Sequence, residues 1–505
     1  MLRDMVFSEE VCPVELEEIG KNIATSCGGL PLAIAVIGGV LRRSAKTLES
    51  WEQVAENLNA IVTWENEEHC FKILRMSYSW LPIRLKPCFL YMSRFREDET
   101  IEVSKLIKFW VAEGFLKPIN GKILEDVARE YLDHLIDRNL IIVRKRGVSG
   151  KAKYCGVHDL VRDLSLKEAR KENFTLVAKL SSNSAVFLGW SLNKDVELLW
   201  RFLTSLPLNM FKNIFVESIV HLVQCRYLSV PNLGRLLVEK KLRMLPVLWN
   251  LQTISINEFL TTITLPSMFW TMTQLRYINI ISNIVLPEPP PKSQFYCTLE
   301  NLQTLSFVRD FRCSEEIYKR IPNVKKLKIR YFSQDVEEGP YYSLSNLVHL
   351  CRLESLHLHG MMVSIKDISF PHSLRKLKIK RTNIWWSEMV AIGSLPNLEI
   401  LVIGFQGVQG LEWNVTKGEF VRLKKLCVSD VDLKHWKTEE GSFPSLEELE
   451  LWRLLLQELP DPLNFADIPK LRLINLIVRG KSIKSWAKQI KEEREGLGYG
   501  SIQIE

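Results

Sequence analysis

Residues 353–358 read Leu353-Glu354-Ser355-Leu356-His357-Leu358, and 21 positions after Leu353 the frame returns as Leu374-Arg375-Lys376-Leu377-Lys378-Ile379. Working upstream, the same L-x-x-L-x-L pattern is read at Val324-Leu327-Ile329, Leu302-Leu305-Phe307, Leu275-Ile278-Ile280 and Leu251-Ile254-Ile256, with a degenerate copy at Cys225-Leu228-Val230. Downstream it continues at Leu398-Leu401-Ile403, Leu423-Leu426-Val428, Leu446-Leu449-Leu451 and Leu471-Ile474-Leu476. Successive copies start 21 to 29 residues apart. The alternation at the end of each frame is the period of a β-strand, which turns the apolar residues to one side and the intervening ones to the other.

A period in the twenties with this frame is a leucine-rich repeat, one short strand per turn of a curved α/β solenoid whose intervening residues line the concave face. The copies are irregular. Only the unit from Leu275 has asparagine, Asn283, at the ninth position, where an asparagine ladder would satisfy backbone groups. Pro287–Pro291 marks a loop between units, and the polar helix expected at Ile483–Glu495 would cap the last repeat. The concave positions carry two charge patterns. At the second position the signs alternate through Lys325, Glu354, Arg375, Glu399, Lys424, Glu447 and Arg472, a ladder in which opposite charges pair across strands. At the third and fifth positions Lys326, Lys328, Lys376 and Lys378, extended by Arg330, Lys380 and Arg381, form a basic patch that would face an acidic partner.

Ahead of the repeats the pattern is helical. Amphipathic or apolar segments are predicted at Glu15–Thr25, Leu32–Val40, Trp51–Ile61, Cys70–Tyr78, Leu85–Met92, Ser104–Gly114, Ile123–Asn139 and Asp159–Arg170. Pro31 stands where a helix would start, the position that suits proline. Leu140–Arg144 and Lys153–Gly156, joined across Gly147–Gly150, predict a β-hairpin, so this part ends as a winged helix. Ser181–Lys194 is the expected hinge before the repeats.

Composition bounds the function classes. In 505 residues, 46% are hydrophobic and 25% charged, which excludes a disordered or collagen-like chain. The ten cysteines show no CxxC pair, so neither a zinc ribbon nor a disulfide scaffold is indicated and a reducing compartment fits. The apolar run Gly28–Leu41 is too short for a transmembrane segment, and the N-terminus lacks the order of a signal peptide. Residues 1–170 contain equal numbers of basic and acidic residues, so the net charge of +8 resides in the rest. That balance, with Asp133 and Asp137 nearby, makes Arg144, Lys145, Arg146, Lys151 and Lys153 a solvated loop rather than a nucleic-acid wing. His357 and His359 form an i, i+2 pair on one strand face with no carboxylate or cysteine at metal-ligand spacing, and the tryptophans, Trp385-Trp386 included, read as packing residues. No nucleophile–histidine–carboxylate arrangement is legible, so the chain is not read as an enzyme.

Three segments of the helical part resemble, in order and spacing, the plant nucleotide-binding leucine-rich-repeat (NB-ARC LRR) disease resistance proteins. Gly29-Leu30-Pro31-Leu32-Ala33 resembles their GLPL motif, and Cys88–Met92 with Val103–Leu116 resembles the opening of their winged-helix domain. Val157-His158-Asp159-Leu160 is similar to their Met-His-Asp motif. The chain looks closest to the coiled-coil class, in particular the late-blight-resistance-like receptors of the nightshade family. Arg96 stands for the usual proline of the Phe95–Asp98 stretch, and Val157 for methionine.

The resemblance implies a multidomain fold: a C-terminal helical part of the NB-ARC region (residues 1–85), a winged helix (86–175), a linker (176–220), and leucine-rich repeats with a C-terminal cap (221–505). It implies an ADP/ATP-dependent switch, with Gly29, Leu30, Pro31, Leu32, His158 and Asp159 as nucleotide-binding residues. Within that set Pro31 would lie on the adenine and His158 would donate to the β-phosphate. It further implies recognition of a pathogen effector or host guardee protein, contacts between the NB-ARC region and the repeats, and an oligomer for full-length receptors. The expected place is the cytoplasm, including the periphery of the plasma membrane. No Walker A loop is present: Gly147-Val148-Ser149-Gly150-Lys151-Ala152 has only two residues between its glycines and Ala152 where the Mg²⁺-binding hydroxyl belongs. The chain is therefore read as an N-terminally truncated member. The alternative reading is an interaction scaffold or decoy that binds no nucleotide.

Overall fold

The computed structural model describes residues 1–7, 10–59, 66–119, 121–148, 150–172, 174–180, 184–189, 226–230, 248–256, 262–281, 283–290, 297–332, 344–360, 368–382, 384–454, 456–477 and 481–504. Most of the 176–220 linker and of the Ser181–Lys194 hinge lies outside these residues, as do Ser149, Cys225 and Pro291. The chain divides into two compact units, Met1–Leu206 and Pro207–Glu505.

The first unit is helical: α1 (Leu2–Phe7), α2 (Val14–Ser26), α3 (Pro31–Arg43), α4 (Leu48–Asn59), α5 (Asn66–Ser79), α6 (Lys86–Leu90), α7 (Val103–Glu113), α8 (Leu124–Asp137) and α9 (Asp159–Lys171). Local chemistry sets the boundaries. Gly28 and Gly29, at φ 63° and 71°, turn the chain out of α2, and Pro31 opens α3 at its first turn. Gly114 closes α7 at φ 78°. Leu85–Met92 is not the single helix its pattern predicts. With Pro82 and Pro87 each removing an N–H donor, Ile83–Leu85 and Tyr91–Arg94 tighten into 3₁₀ turns around the five-residue α6. Helix α1 was not expected; Leu2, Val6 and Phe7 bury its inner face.

Helix α3 explains its own apolar run by packing two ways. Ala33, Ile37 and Leu41 enter a cluster with Leu16, Ile23, Trp51 and Leu58. Val36 enters a second cluster with Leu74, Phe89, Trp110, Leu132, Val161 and Leu164. The hairpin forms as β2 (Ile142–Arg146) and β3 (Ala152–Gly156), and a third strand, β1 (Ile101–Glu102), adds to the free edge of β3. Two residues are too few to show an alternation, so β1 left no mark in the sequence. A second antiparallel hairpin, β4 (Thr175–Leu180) with β5 (Ser184–Gly189), follows α9.

The second unit is built on a parallel sheet whose strands follow the repeats. They are β6 (Tyr227–Val230), β7 (Thr253–Ile256), β8 (Thr262–Thr264), β9 (Tyr277–Ile280), β10 (Asn283–Val285), β11 (Thr304–Arg309), β12 (Lys326–Arg330), β13 (Ser355–His359) and β14 (Lys376–Lys380). Then come β15 (Ile384–Trp385), β16 (Ile400–Gly404), β17 (Val408–Gln409), β18 (Glu412–Val415), β19 (Lys425–Ser429), β20 (His435–Thr438), β21 (Glu448–Trp452), β22 (Leu473–Ile477) and β23 (Gln503–Ile504). The main order is β6-β7-β9-β11-β12-β13-β14-β16-β19-β21-β22-β23, so each frame lies beside the next. Leu327, Leu356, Leu377, Leu401, Leu426, Leu449 and Ile474 are in register, and every one is 0% exposed. Burying one such side chain is worth about 1.5–3 kcal/mol, so this row is a principal support of the sheet.

Asn283 does not serve a backbone group among its described bonds; its Oδ1 accepts from Arg330 Nη1 at 2.7 Å. The ladder lies one residue before the frame. Asn301, Asn323 and Asn397 each donate Nδ2 to a carbonyl of the preceding repeat, on Thr273, Glu300 and His372, at 2.8–3.0 Å. Behind the sheet Trp413 is sandwiched by Trp386 (4.7 Å) and Trp436 (5.5 Å, 5° between planes), with Phe420 and Phe443 edge-on. Of the Trp385-Trp386 pair, only Trp385 is exposed. Among the described residues, three short helices join the strands, α10 (Glu315–Arg320), α11 (Met389–Gly393) and α12 (Leu463–Ala466). The expected terminal helix forms as α13 (Lys481–Gly496) and buries Ile483, Trp486, Ala487 and Ile490. Its Arg494 is buried and donates to Ala466 O at 3.0 Å.

Candidate functional site

The sequence points to two places, one in each unit. In the first, Gly29 and Pro31 are exposed at the start of α3, and a Cβ on Gly29 would meet nothing within 4 Å. Leu30 is the N-cap and supplies no side-chain cap, and Pro31 has no N–H, so the N–H groups of Leu32 and Ala33 are left without a cap. Val157 is buried, whereas His158 and Asp159 are exposed at the start of α9. His158 is the N-cap: its Nδ1 accepts from Leu160 N at 3.4 Å, an arrangement that leaves the proton of a neutral imidazole on Nε2. Leu30 and Leu32 pack against the same hydrophobic cluster that contains Val157 and Val161. The two motif segments are thus anchored to one core.

That core is reinforced where α3 crosses the end of α8. Asp137 takes Arg42 at 2.6 Å and also Arg43, and Asn139 Nδ2 donates to Ala35 O at 2.7 Å. Helices α5 and α9 are tied by Tyr78 to Glu172 (2.6 Å) and Arg75 to Glu168 (3.1 Å). Burial, with the hydrogen bond to Glu172, pushes the Tyr78 hydroxyl well above its ordinary value, so it remains a donor.

In the second unit, Lys326 and Lys328 lie on β12, and Lys376 and Lys378 on β14. The two strands are not adjacent; β13 runs between them. Register sets Lys328, His357 and Lys378 in one row, and Arg330, His359 and Lys380 in the next. Burial, aided by Lys378, Lys328 and the second histidine, pushes His357 down to about 3. Burial, aided by Arg330, Arg381 and Lys380, pushes His359 down to about 4. His357 Nε2 and His359 Nδ1 are buried without a hydrogen-bond partner among the described residues. Sequence reading weighed these histidines only as metal ligands, because the frame of a single repeat does not show which cations flank them.

The charge ladder forms in part. Lys325 pairs with Glu354 (3.7 Å), Arg375 with Glu399, and Arg472 with Glu447 (3.6 Å). Further along the sheet, acids on the strands enter: Lys425 bonds Glu448 and Glu450, and Arg472 also reaches Glu448 at 2.7 Å. Burial alone would lower the Lys425 ammonium, but its bonds to Glu450 and Glu448 raise it. The charge on the face is therefore compensated at β19–β22, while the outward positions of β12–β14 include no carboxylate.

Comparison with known proteins bears on these features. The winged-helix domain of disease resistance proteins matches residues 95–165, the span from the Phe95 turn into α9 as far as Ser165. Over 97% of the chain, the sequence is 32% identical to the putative late blight resistance protein homolog R1B-16 of Solanum demissum and 31% identical to the late blight resistance protein R1-A of the same species. The chain belongs to the R1-like disease resistance proteins. A third relative from that species, homolog R1B-23, is 30% identical over 97% of the chain. The alignments cover 41%, 42% and 42% of these relatives, so the chain spans about two-fifths of their length. Among the described residues, no helix is long and apolar enough to cross a membrane.

Proposed function

We propose that the chain acts in a cytoplasmic plant immune receptor of the NB-ARC LRR type. In this reading the repeats form a solenoid that recognises a pathogen effector or a host guardee protein, and the helical unit belongs to a nucleotide-dependent switch. Gly29–Leu32 at the start of α3 would meet the adenine of ADP, and His158 with Asp159 at the start of α9 would meet its terminal phosphate. The observation that carries this is the placement of both motifs at exposed helix N-termini on one shared core. A helix N-terminus presents N–H donors and positive potential, and with Nδ1 accepting from Leu160 N, His158 has Nε2 left to donate beside it.

A switch of this kind needs a ligand that binds its two states unequally. The sequence has no Walker A loop to cradle phosphates, and two end contacts of about 1–3 kcal/mol each do not offset the motional freedom lost on binding. The chain by itself is therefore expected to bind ADP weakly and not to hydrolyse ATP. Calorimetry with ADP and Mg²⁺, beside His158→Ala, tests this. Micromolar binding that the variant loses would show a working half-site. Absence of heat in both would favour the second reading, a scaffold or decoy that relies on the repeats alone.

A further inference from the structure

We propose that the outward face of β12, β13 and β14 is a binding site for a compact multivalent oxyanion, a cluster of phosphate groups on one small molecule, seated over His357 and His359 between two cationic strands. The proposal names a ligand class for the surface that the receptor reading uses for recognition, and it rests on that surface being a binding face. It is independent of the ADP contacts.

Neighbouring strands lie about 4.8 Å apart and residues two apart along a strand about 6.6 Å, so Lys328, Arg330, Lys378 and Lys380 bound a rectangle of about 10 by 7 Å. That is the span of a small polyphosphorylated molecule. On one side the positive tile ends at β16, which contributes Ile400, Val402 and Gly404; on the other, β11 contributes Thr304 and Ser306, and its Arg309, in register with Arg330, is paired with Asp310. A polypeptide rich in acids would draw on charge spread along the sheet. A compact polyanion needs only this patch.

The floor of the rectangle has unmet hydrogen-bonding capacity. Buried polar atoms are nearly always partnered, yet among the described residues His357 Nε2 and His359 Nδ1 are not. Protonation of either ring would add positive charge beneath a bound oxyanion. The wall is aromatic. Phe307, held at φ 56° in the bulge of β11, sets its ring 5.9 Å from the His357 ring and beneath Lys328 Nζ (4.8 Å) and the Arg330 guanidinium (4.5 Å). Phe405 does the same for Lys380 at 4.4 Å. These rings hold the cations over the tile instead of leaving them to splay into water.

Protons follow from the same arrangement. The imidazoles face Lys328 and Arg330 from β12, Lys378 and Lys380 from β14, and Arg381 just beyond, while Asp430 lies past Lys380 and Asp310 is held by Arg309 at the end of β11. In the free protein these surroundings keep both rings neutral. An oxyanion on the tile would oppose the cations, raise both imidazoles, and so bind with uptake of protons.

The test is calorimetry on the full chain at about physiological salt with tripolyphosphate, and with sucrose octasulfate as a probe whose charge does not change with pH. Micromolar binding is expected, weakened roughly tenfold by Lys328→Gln or Lys378→Gln and unchanged by Lys425→Gln. Octasulfate affinity should rise from about pH 6.5 to about pH 4.5, toward the range in which the imidazoles titrate, and His357→Gln should flatten that rise. Circular dichroism of each variant confirms that it is folded. No binding, an equal loss in Lys425→Gln, or an octasulfate affinity indifferent to pH would overturn the proposal. Competition by polyglutamate as effective as tripolyphosphate would also overturn it, while leaving the recognition reading intact.

Discussion

Adding one methyl group to α3 should separate its two adjacent glycines sharply. A Cβ on Gly39 would lie 2.5 Å from Arg138 Cα, 2.6 Å from its carbonyl carbon and 2.8 Å from its oxygen. All three are backbone atoms, and the backbone there is pinned: Arg138 caps α8, and Asn139, at φ 55°, is tied to Ala35 O. Carbon atoms pack comfortably at about 3.5–4.0 Å, so α3 must withdraw by about 1 Å. Such overpacking costs about 1–3 kcal/mol, offset by the 0.8–1.0 kcal/mol or so that alanine gains over glycine within a helix. Because all three atoms struck are backbone, the upper part of that cost, about 2–3 kcal/mol, applies, and Gly39→Ala should lose about 1–2 kcal/mol net. At Gly38 the nearest atoms are the side chains of Leu2 and Met5 at 3.3 Å, which can yield by a few tenths of an ångström, so Gly38→Ala should be neutral or stabilising. Urea denaturation read through the first unit's transition gives the comparison, and hydrogen exchange localises it to α3 and the end of α8. A Gly39→Ala protein as stable as the parent, or a Gly38→Ala protein equally weakened, would refute the close crossing that holds the two motif segments on one core.

Three further outcomes follow from the second unit. His357 and His359 titrate lower in the folded chain, at about 3 and about 4, than in the unfolded one, near 6.5. Between those values the unfolded chain binds more protons, so their contribution to stability is complete above about pH 6.5 and is lost as pH falls toward 4 and then 3. Denaturation midpoints of His357→Gln/His359→Gln should therefore depend less on pH in that window than those of the parent, and parallel curves would refute the titration. Trp413→Ala removes the centre of the tryptophan stack and should cost about 3–5 kcal/mol, visible as a lower urea midpoint and a loss of near-ultraviolet dichroism. Gly360→Ala should fail more severely than Gly39→Ala, since φ is +127° and its Cβ would sit 2.1 Å from Tyr331 O; a midpoint within error of the parent would refute this.

What the sequence disclosed, and what it hid, follows from the range over which each cause acts. The leucine frame announces the strands because each strand is specified within six residues, and Pro31, Gly114 and the Val143–Cys155 hairpin are likewise local. The backbone-bonding asparagines are equally local, repeated as Asn301-Leu302, Asn323-Val324 and Asn397-Leu398, but they precede the frame instead of standing at its ninth position, where such a ladder is expected. The basic face is different in kind. His357 lies 29 residues after Lys328 and 21 before Lys378, and only the register of three strands makes them neighbours. With spacing that varies from unit to unit, no fixed period brings those residues together on paper. The lysines read on paper as one basic patch without the strand that divides it, and the imidazoles of that strand as an isolated i, i+2 motif. Once β13 is placed, the same residues explain one another: burial, aided by the cations on either side, holds the imidazoles neutral, and β13 sets the two cationic strands one strand apart. In a repeat protein each unit specifies its own strand, whereas a binding site is assembled across units, so the fold is legible within one repeat and the site only in several at once.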